Sequence, residues 1–187
     1  MTKRRLFSRL IFYSSKQDNE YDMLRFWSVE GKSNFIALTI AVLIPVLIGA
    51  ASGYFSAGSS GVYRDLRQPS FAPPGWLFGP VWTILYILMG VASYRIYMHY
   101  KQNRPSLKPL IFYAVQLIFN FFWTIIFFGF GLRGLAFLEL LILWILILIS
   151  LKLFYNEDKL AGYLLLPYLL WVSFAGVLNY SVWVLNR

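Results

Sequence analysis

The chain has 187 residues, of which 59% are hydrophobic and only 13% charged, about half the roughly 25% charge of a soluble domain. It contains no cysteine, which excludes disulfides and thiolate metal sites. A formal charge of +9 is compatible with nucleic-acid binding in principle, but the 17 Lys and Arg residues are distributed as in a multi-span membrane protein, and no nucleic-acid partner is expected.

Residues 1–33 read as a basic N-terminal tail. In "KRRLFSRLIFY", Leu6, Phe7, Leu10 and Ile11 fall at helical spacing among Arg4, Arg5 and Arg9, the pattern of a short helix lying on an anionic membrane surface. The simpler reading is a positive tail that fixes topology. A secretory signal is not expected, because Arg9 interrupts the apolar stretch and no small-residue cleavage site follows; a mitochondrial presequence is the alternative. "SSKQDNEYD" then reads as linker.

Residues 34–187 carry apolar stretches at 34–57, 76–99, 109–130, 133–155 and 161–185, each near the roughly 20 residues that cross a hydrocarbon core. The alternation of a barrel strand is missing, so backbone groups in lipid must be satisfied within helices. The expected fold is an all-α integral membrane protein with five spanning helices. Thirteen of the Lys and Arg residues fall on one face of this arrangement, while Arg64, Arg67, Arg133 and Arg187 fall on the other. That bias places the N-terminus inside and the C-terminus outside, most simply across a bacterial cytoplasmic membrane, with a mitochondrial membrane as the alternative.

Between the first two spans lies "PSFAPPGWLFGPVWTILY", residues 69–86. Pro69, Pro73 and Pro74 hold the chain extended, Gly75 permits a sharp turn, and Pro80 suits the first turn of the next helix. A stiff loop bearing Phe71, Trp76 and Phe78 fits the role of a lid over Trp82 and Tyr86, one turn apart on span two. Anchoring in the headgroups is the alternative.

Polar residues inside spans need partners or ligands, because their burial in lipid is costly. Gln116, Asn120 and Trp123 share a narrow face of span three; Trp171, Ala175 and Asn179 share one of span five. The amides either tie helices together or face a ligand. Trp123 and Trp171 lie too deep for an interfacial belt, whereas Trp76 and Trp183 sit at span ends. Trp144 is deep but surrounded by apolar residues, so packing or lipid contact is expected. Glu139, the one carboxylate within a span, is placed to reach the interface or a neighbouring helix. Gly49, Gly53 and Ala57 form a small-residue stripe on span one, suited to close packing in the bundle or at a dimer contact.

Three blocks, "PPGWLFGPVWTILYILMG", "QLIFNFFW" and "LLPYLLWVSFAGVLNYSVWVLN", resemble the TspO/MBR family, the tryptophan-rich sensory and translocator proteins, over residues 36–186. The resemblance implies a five-helix bundle, often a homodimer, whose pocket beneath the first loop takes porphyrin or haem, sterols or drug-like molecules. Tyr63 resembles the family's loop tyrosine, Trp82 its pocket tryptophan, Asn120 and Trp123 the amide and aromatic of span three, and Trp171 with Ala175 the wall of span five. With Pro73, Phe78 and Tyr86 of the lid and span two, these complete the candidate ligand site.

Val62 and Phe71 stand where family members often carry tryptophan. Six residues separate Tyr180 from Arg187, one too many for the family's sterol motif. The implied function is a receptor or sensor for tetrapyrroles such as protoporphyrin IX, bound as ligand with no required cofactor or metal. Transport of porphyrin or sterol-like molecules is one alternative. Light-dependent porphyrin breakdown, with Trp82 and Trp171 as candidate indoles, is another. His99, at a span end, is poorly placed for axial ligation of haem.

Overall fold

The structure is a computed structural model that describes residues 27–55, 59–103 and 106–187. The basic helix expected in the tail, and Ala57 of the small-residue stripe, lie outside the described residues. The described residues before the first long helix, 27–34, belong to a unit separate from the bundle. Among them, Val29 and Lys32 exchange backbone hydrogen bonds of 2.9 and 3.0 Å across a tight turn. Glu30 at φ 50° and Gly31 at φ 74° occupy the two left-handed positions that such a turn requires.

Five long helices, each long and apolar enough to cross a membrane, make up the rest. In chain order they are α1 (Phe35–Phe55), α3 (Phe78–Asn103), α4 (Lys108–Thr124), α5 (Arg133–Glu157) and α6 (Lys159–Leu185). A short helix α2 (Ser59–Asp65) and one 3₁₀ turn (Gly75–Leu77) interrupt the lid, and α4 runs into a π turn (Ile125–Gly129). The sequence reads residues 58–75, between the first two expected spans, as connection alone. A seven-residue helix with no long apolar face leaves no periodic signal, and α2 was therefore missed.

The core is assembled from one face of each of four helices. Leu85, Met89, Ala92 and Ile96 of α3 meet Tyr113 and Leu117 of α4, Leu140, Leu143 and Ile147 of α5, and Leu165, Tyr168 and Val172 of α6. These positions recur at three- and four-residue spacing, so each helix turns one stripe inward. Outward-facing residues remain apolar: Ile36, Ile40, Leu47, Leu138 and Leu170 are all exposed, as a lipid-facing surface requires. Helix α1 approaches α3 where Gly90 lacks a side chain. A Cβ there would fall 2.5 Å from the Val42 Cα, so only glycine lets the two backbones meet.

At the end of the bundle away from the lid, Asp158 joins three helices. Its carboxylate accepts from Arg95 Nε at 3.0 Å and Nη2 at 2.7 Å, linking α3 to the α5–α6 connection. Its other oxygen accepts from the Ala161 amide at 3.0 Å and caps the first turn of α6. His99 lies 3.6 Å from Glu157 at the same end, far along α3 from the lid.

Candidate ligand cavity beneath the lid

Helices α1, α3 and α4, with the π turn and the lid, surround a half-open cavity of about 450 Å³. That volume falls within the range of roughly 300–1,000 Å³ typical of small-molecule sites. One wall is aromatic because Trp82 and Tyr86 are four residues apart on α3; their rings stack at 5.4 Å with planes 28° apart. Trp123 of α4 also lines it, stacked on Phe127 at 5.3 Å, and Phe128 of the π turn joins it. Helix α1 contributes Val46, Gly49, Ala50, Ser52 and Gly53. Among the described lining residues there is no Lys, Arg, Asp or Glu.

The roof is fixed by named contacts. Tyr63 of α2 is buried, meets Phe78 edge to face at 5.3 Å, and donates its hydroxyl to the Pro73 carbonyl at 3.0 Å. Burial pushes the Tyr63 hydroxyl above its ordinary pKa. Gln68 donates back to the Tyr63 carbonyl. The lid is also clipped to the C-terminus: the Arg67 amide donates to Asn186 Oδ1 at 2.9 Å, and Asn186 Nδ2 returns a bond of 2.9 Å to the Arg67 carbonyl.

Of the candidate ligand residues, Tyr63, Phe78, Trp82, Tyr86 and Trp123 line the cavity together. Pro73, Asn120, Trp171 and Ala175 are not among its lining residues. Pro73 acts through its carbonyl, which holds Tyr63. Asn120 is buried between helices: it accepts from the Tyr86 hydroxyl at 2.7 Å and donates to the Tyr168 hydroxyl at 3.1 Å, and Tyr168 in turn donates to Gln116 Oε1 at 2.9 Å. Trp171 packs edge-on against Phe78 at 5.9 Å and beside Phe174, with its indole N–H buried and unpartnered. Ala175 belongs to the core.

The amides of both polar stripes, Gln116, Asn120 and Asn179, thus hydrogen-bond across helices. Trp123 donates to Asn179 Oδ1 at 3.1 Å, and Asn179 Nδ2 donates to the Arg133 carbonyl at 2.9 Å, joining α4, α6 and the start of α5. Trp144 is satisfied by Ser173 at 2.8 Å and lines an outward-facing apolar groove between α5 and α6. Of the two placements expected for Glu139, the structure shows the one toward the neighbouring helices. Its neighbours Ala136, Leu140 and Leu143 share the inward face of α5, which turns the carboxyl into the bundle, where both oxygens are buried without a hydrogen-bond partner.

Gly49 and Gly53, read from sequence as one packing stripe, separate into two roles. The Tyr86 ring occupies the space a Gly49 side chain would take, whereas a Cβ on Gly53 would meet nothing within 4 Å. Sequence reasoning also missed Ala50, Ser52, Thr83 and Phe128 as lining residues. Small residues on an apolar helix carry no signal that separates a cavity wall from a packing face.

The model of the TspO/MBR family matches residues 41–184. Protein CrtK of Rhodobacter capsulatus is 41% identical over 138 residues, covering 74% of this chain and 85% of that protein. The tryptophan-rich protein TspO of Archaeoglobus fulgidus is 36% identical over 154 residues, 82% of this chain and 99% of the relative. The translocator protein of Bos taurus is 34% identical over 147 residues, 78% and 87% of the respective chains. The match spans all five long helices, the lid and the cavity they enclose: this chain is a member of the TspO/MBR family.

Proposed function

We propose that the chain is a membrane receptor whose cavity binds tetrapyrroles, protoporphyrin IX or haem, and apolar ligands of similar shape. The observation that carries the reading is the half-open cavity lined by the Trp82–Tyr86 stack together with Trp123. Planar macrocycles gain from such surfaces by stacking and apolar burial. The carboxylates of a tetrapyrrole have no cationic partner among the described lining residues and therefore belong at the opening, in contact with water or headgroups. No histidine lines the cavity, since the single His99 lies at the far end of α3, so binding by stacking alone is the reading adopted.

The test is saturable quenching of tryptophan fluorescence by protoporphyrin IX in purified protein. Trp82→Ala, which removes the ring, should weaken binding about tenfold, equivalent to about 1.4 kcal/mol, in line with the loss of one aromatic stacking contact. His99→Ala should leave it unchanged. Quenching that fails to saturate, or that is indifferent to Trp82, overturns the assignment.

A further inference from the structure

Helices α1 and α3 touch along part of their length and then part. Val42 meets Gly90, and the Tyr86 ring fills the space beside Gly49. Nearer the lid, a Cβ placed on Gly53 of α1 or on Gly79 of α3 would find no atom within 4 Å. Ala50, Gly53, Gly79 and Thr83 all line the cavity and are all exposed, so the cavity reaches the outside of the bundle between these two helices. Three of the four residues on the edges of this gap are glycine or alanine.

The roof is the opposite case. Tyr63 is held down by Pro73 and Gln68, and the clip between Asn186 and Arg67 ties the lid to the end of α6. Opening a path from water through the roof would break these contacts; entering between α1 and α3 breaks none of them. Since both helices are long and apolar enough to cross a membrane, and both edges of the gap belong to them, the gap opens toward lipid near the lid-side boundary. A flat, apolar ligand already concentrated in the bilayer would meet it by lateral diffusion.

We propose that the gap bordered by Ala50 and Gly53 on one side and Gly79 and Thr83 on the other is the entry portal of the cavity, admitting membrane-dissolved planar ligands sideways. The proposal rests on the ligand-binding reading and adds the route. Gly79 has a second reason to be glycine, since a helical residue preceding Pro80 is disfavoured once it carries a Cβ. The test therefore uses Gly53 and Thr83.

The chain contains no cysteine, so single Gly53→Cys and Thr83→Cys variants can be labelled uniquely with benzyl methanethiosulfonate and released by reductant. Leu170→Cys, on an exposed outward position of α6, is the labelling control. The readout is the rate of fluorescence quenching when protoporphyrin IX is added to protein in lipid nanodiscs. Labelling at residues 53 and 83 should slow entry by about a decade or more, within the range over which association rates respond to changes at one site. Reduction should restore the rate, which separates blockage from misfolding.

The Leu170 label should have no effect, and Asn186→Ala, which unclips the lid, should leave the rate unchanged. Unaltered entry in both labelled portal variants, or faster entry in Asn186→Ala, overturns the portal. If unmodified protein shows no saturable quenching by protoporphyrin IX, the tetrapyrrole reading fails, and the same series is read with the uncharged dye N-phenylnaphthylamine. Dye entry blocked by the labels then supports the portal independently, and dye entry indifferent to them, or no dye binding at all, overturns it.

Discussion

Asp158 offers the sharpest test of how this bundle is held together, because one carboxylate performs two separable tasks. It receives two bonds from Arg95 and one from the Ala161 amide, with the side chains of the ion pair only 9% and 10% exposed. Asp158→Asn keeps an oxygen for the cap and removes the charge opposite the guanidinium. Breaking a buried pair by removing one partner costs about 3–5 kcal/mol, and the residual exposure here argues for about 3. Asp158→Ala loses the cap as well, worth about 1 kcal/mol, for a total near 4. Equilibrium unfolding in mixed micelles, titrated with SDS, measures both. The expected order is wild type, then Asn, then Ala, with the second step about a third of the first. A cost for Asp158→Asn within about 0.5 kcal/mol, the scale of an ordinary surface substitution, would refute the claim that the pair locks α3 to α6.

Four further outcomes follow from contacts described above. Tyr168→Phe removes the hydroxyl between Asn120 and Gln116 and leaves both amides short of a partner, so stability should fall by about 2–4 kcal/mol in the same SDS titration; a loss near the 0.6 kcal/mol average of membrane hydrogen bonds would mean the amides find new partners. Glu139→Leu removes two buried acceptors that have no partner, and should raise stability by about 1–3 kcal/mol, whereas a loss would reveal a partner gained in the membrane. Gly49→Val should cost about 1–3 kcal/mol through collision with the Tyr86 ring, while Gly53→Ala, with open space before it, should stay within about 0.5 kcal/mol; equal effects would contradict the division between packing and lining glycines. A reporter fused after Arg187 should report outside and one before Thr2 inside, and the reverse pattern would overturn the orientation read from charge.

The spanning helices are legible because apolar length is a property of the sequence alone: each expected stretch overlaps one long helix, the largest differences being the extension of α3 to Asn103 and the end of α4 at Thr124, where the π turn takes over the rest of the expected stretch. The faces of Gln116, Asn120, Trp171 and Asn179 were equally legible, since spacing fixes which residues share a stripe. What faces a stripe is a tertiary fact. Tyr168, which lies between Asn120 and Gln116, sits on α6, some fifty residues away, and nothing in "LLPYLL" marks its hydroxyl as the partner of two amides. Trp82 and Tyr86 were found together because they are neighbours on one helix. Trp171 meets Phe78 edge-on and is not among the lining residues, because neither depth in the span nor the resemblance conveys the direction of an indole.

The π turn after Thr124 has a consequence for reading related chains. The Phe130 amide bonds to the Ile125 carbonyl, five residues back instead of four, at 3.0 Å. One residue is thereby accommodated beyond what an α-helix would hold over the same rise. Everything after Ile125 is rotated by about 100° relative to an uninterrupted α-helical register, the angle of one residue in a helix of 3.6 per turn. A relative that keeps a plain α-helix here would need one residue fewer between Trp123 and Gly131, and would show a single-position gap in an alignment. Forcing such a pair to align without the gap would match Phe127, which is buried, with a position that faces a different neighbour.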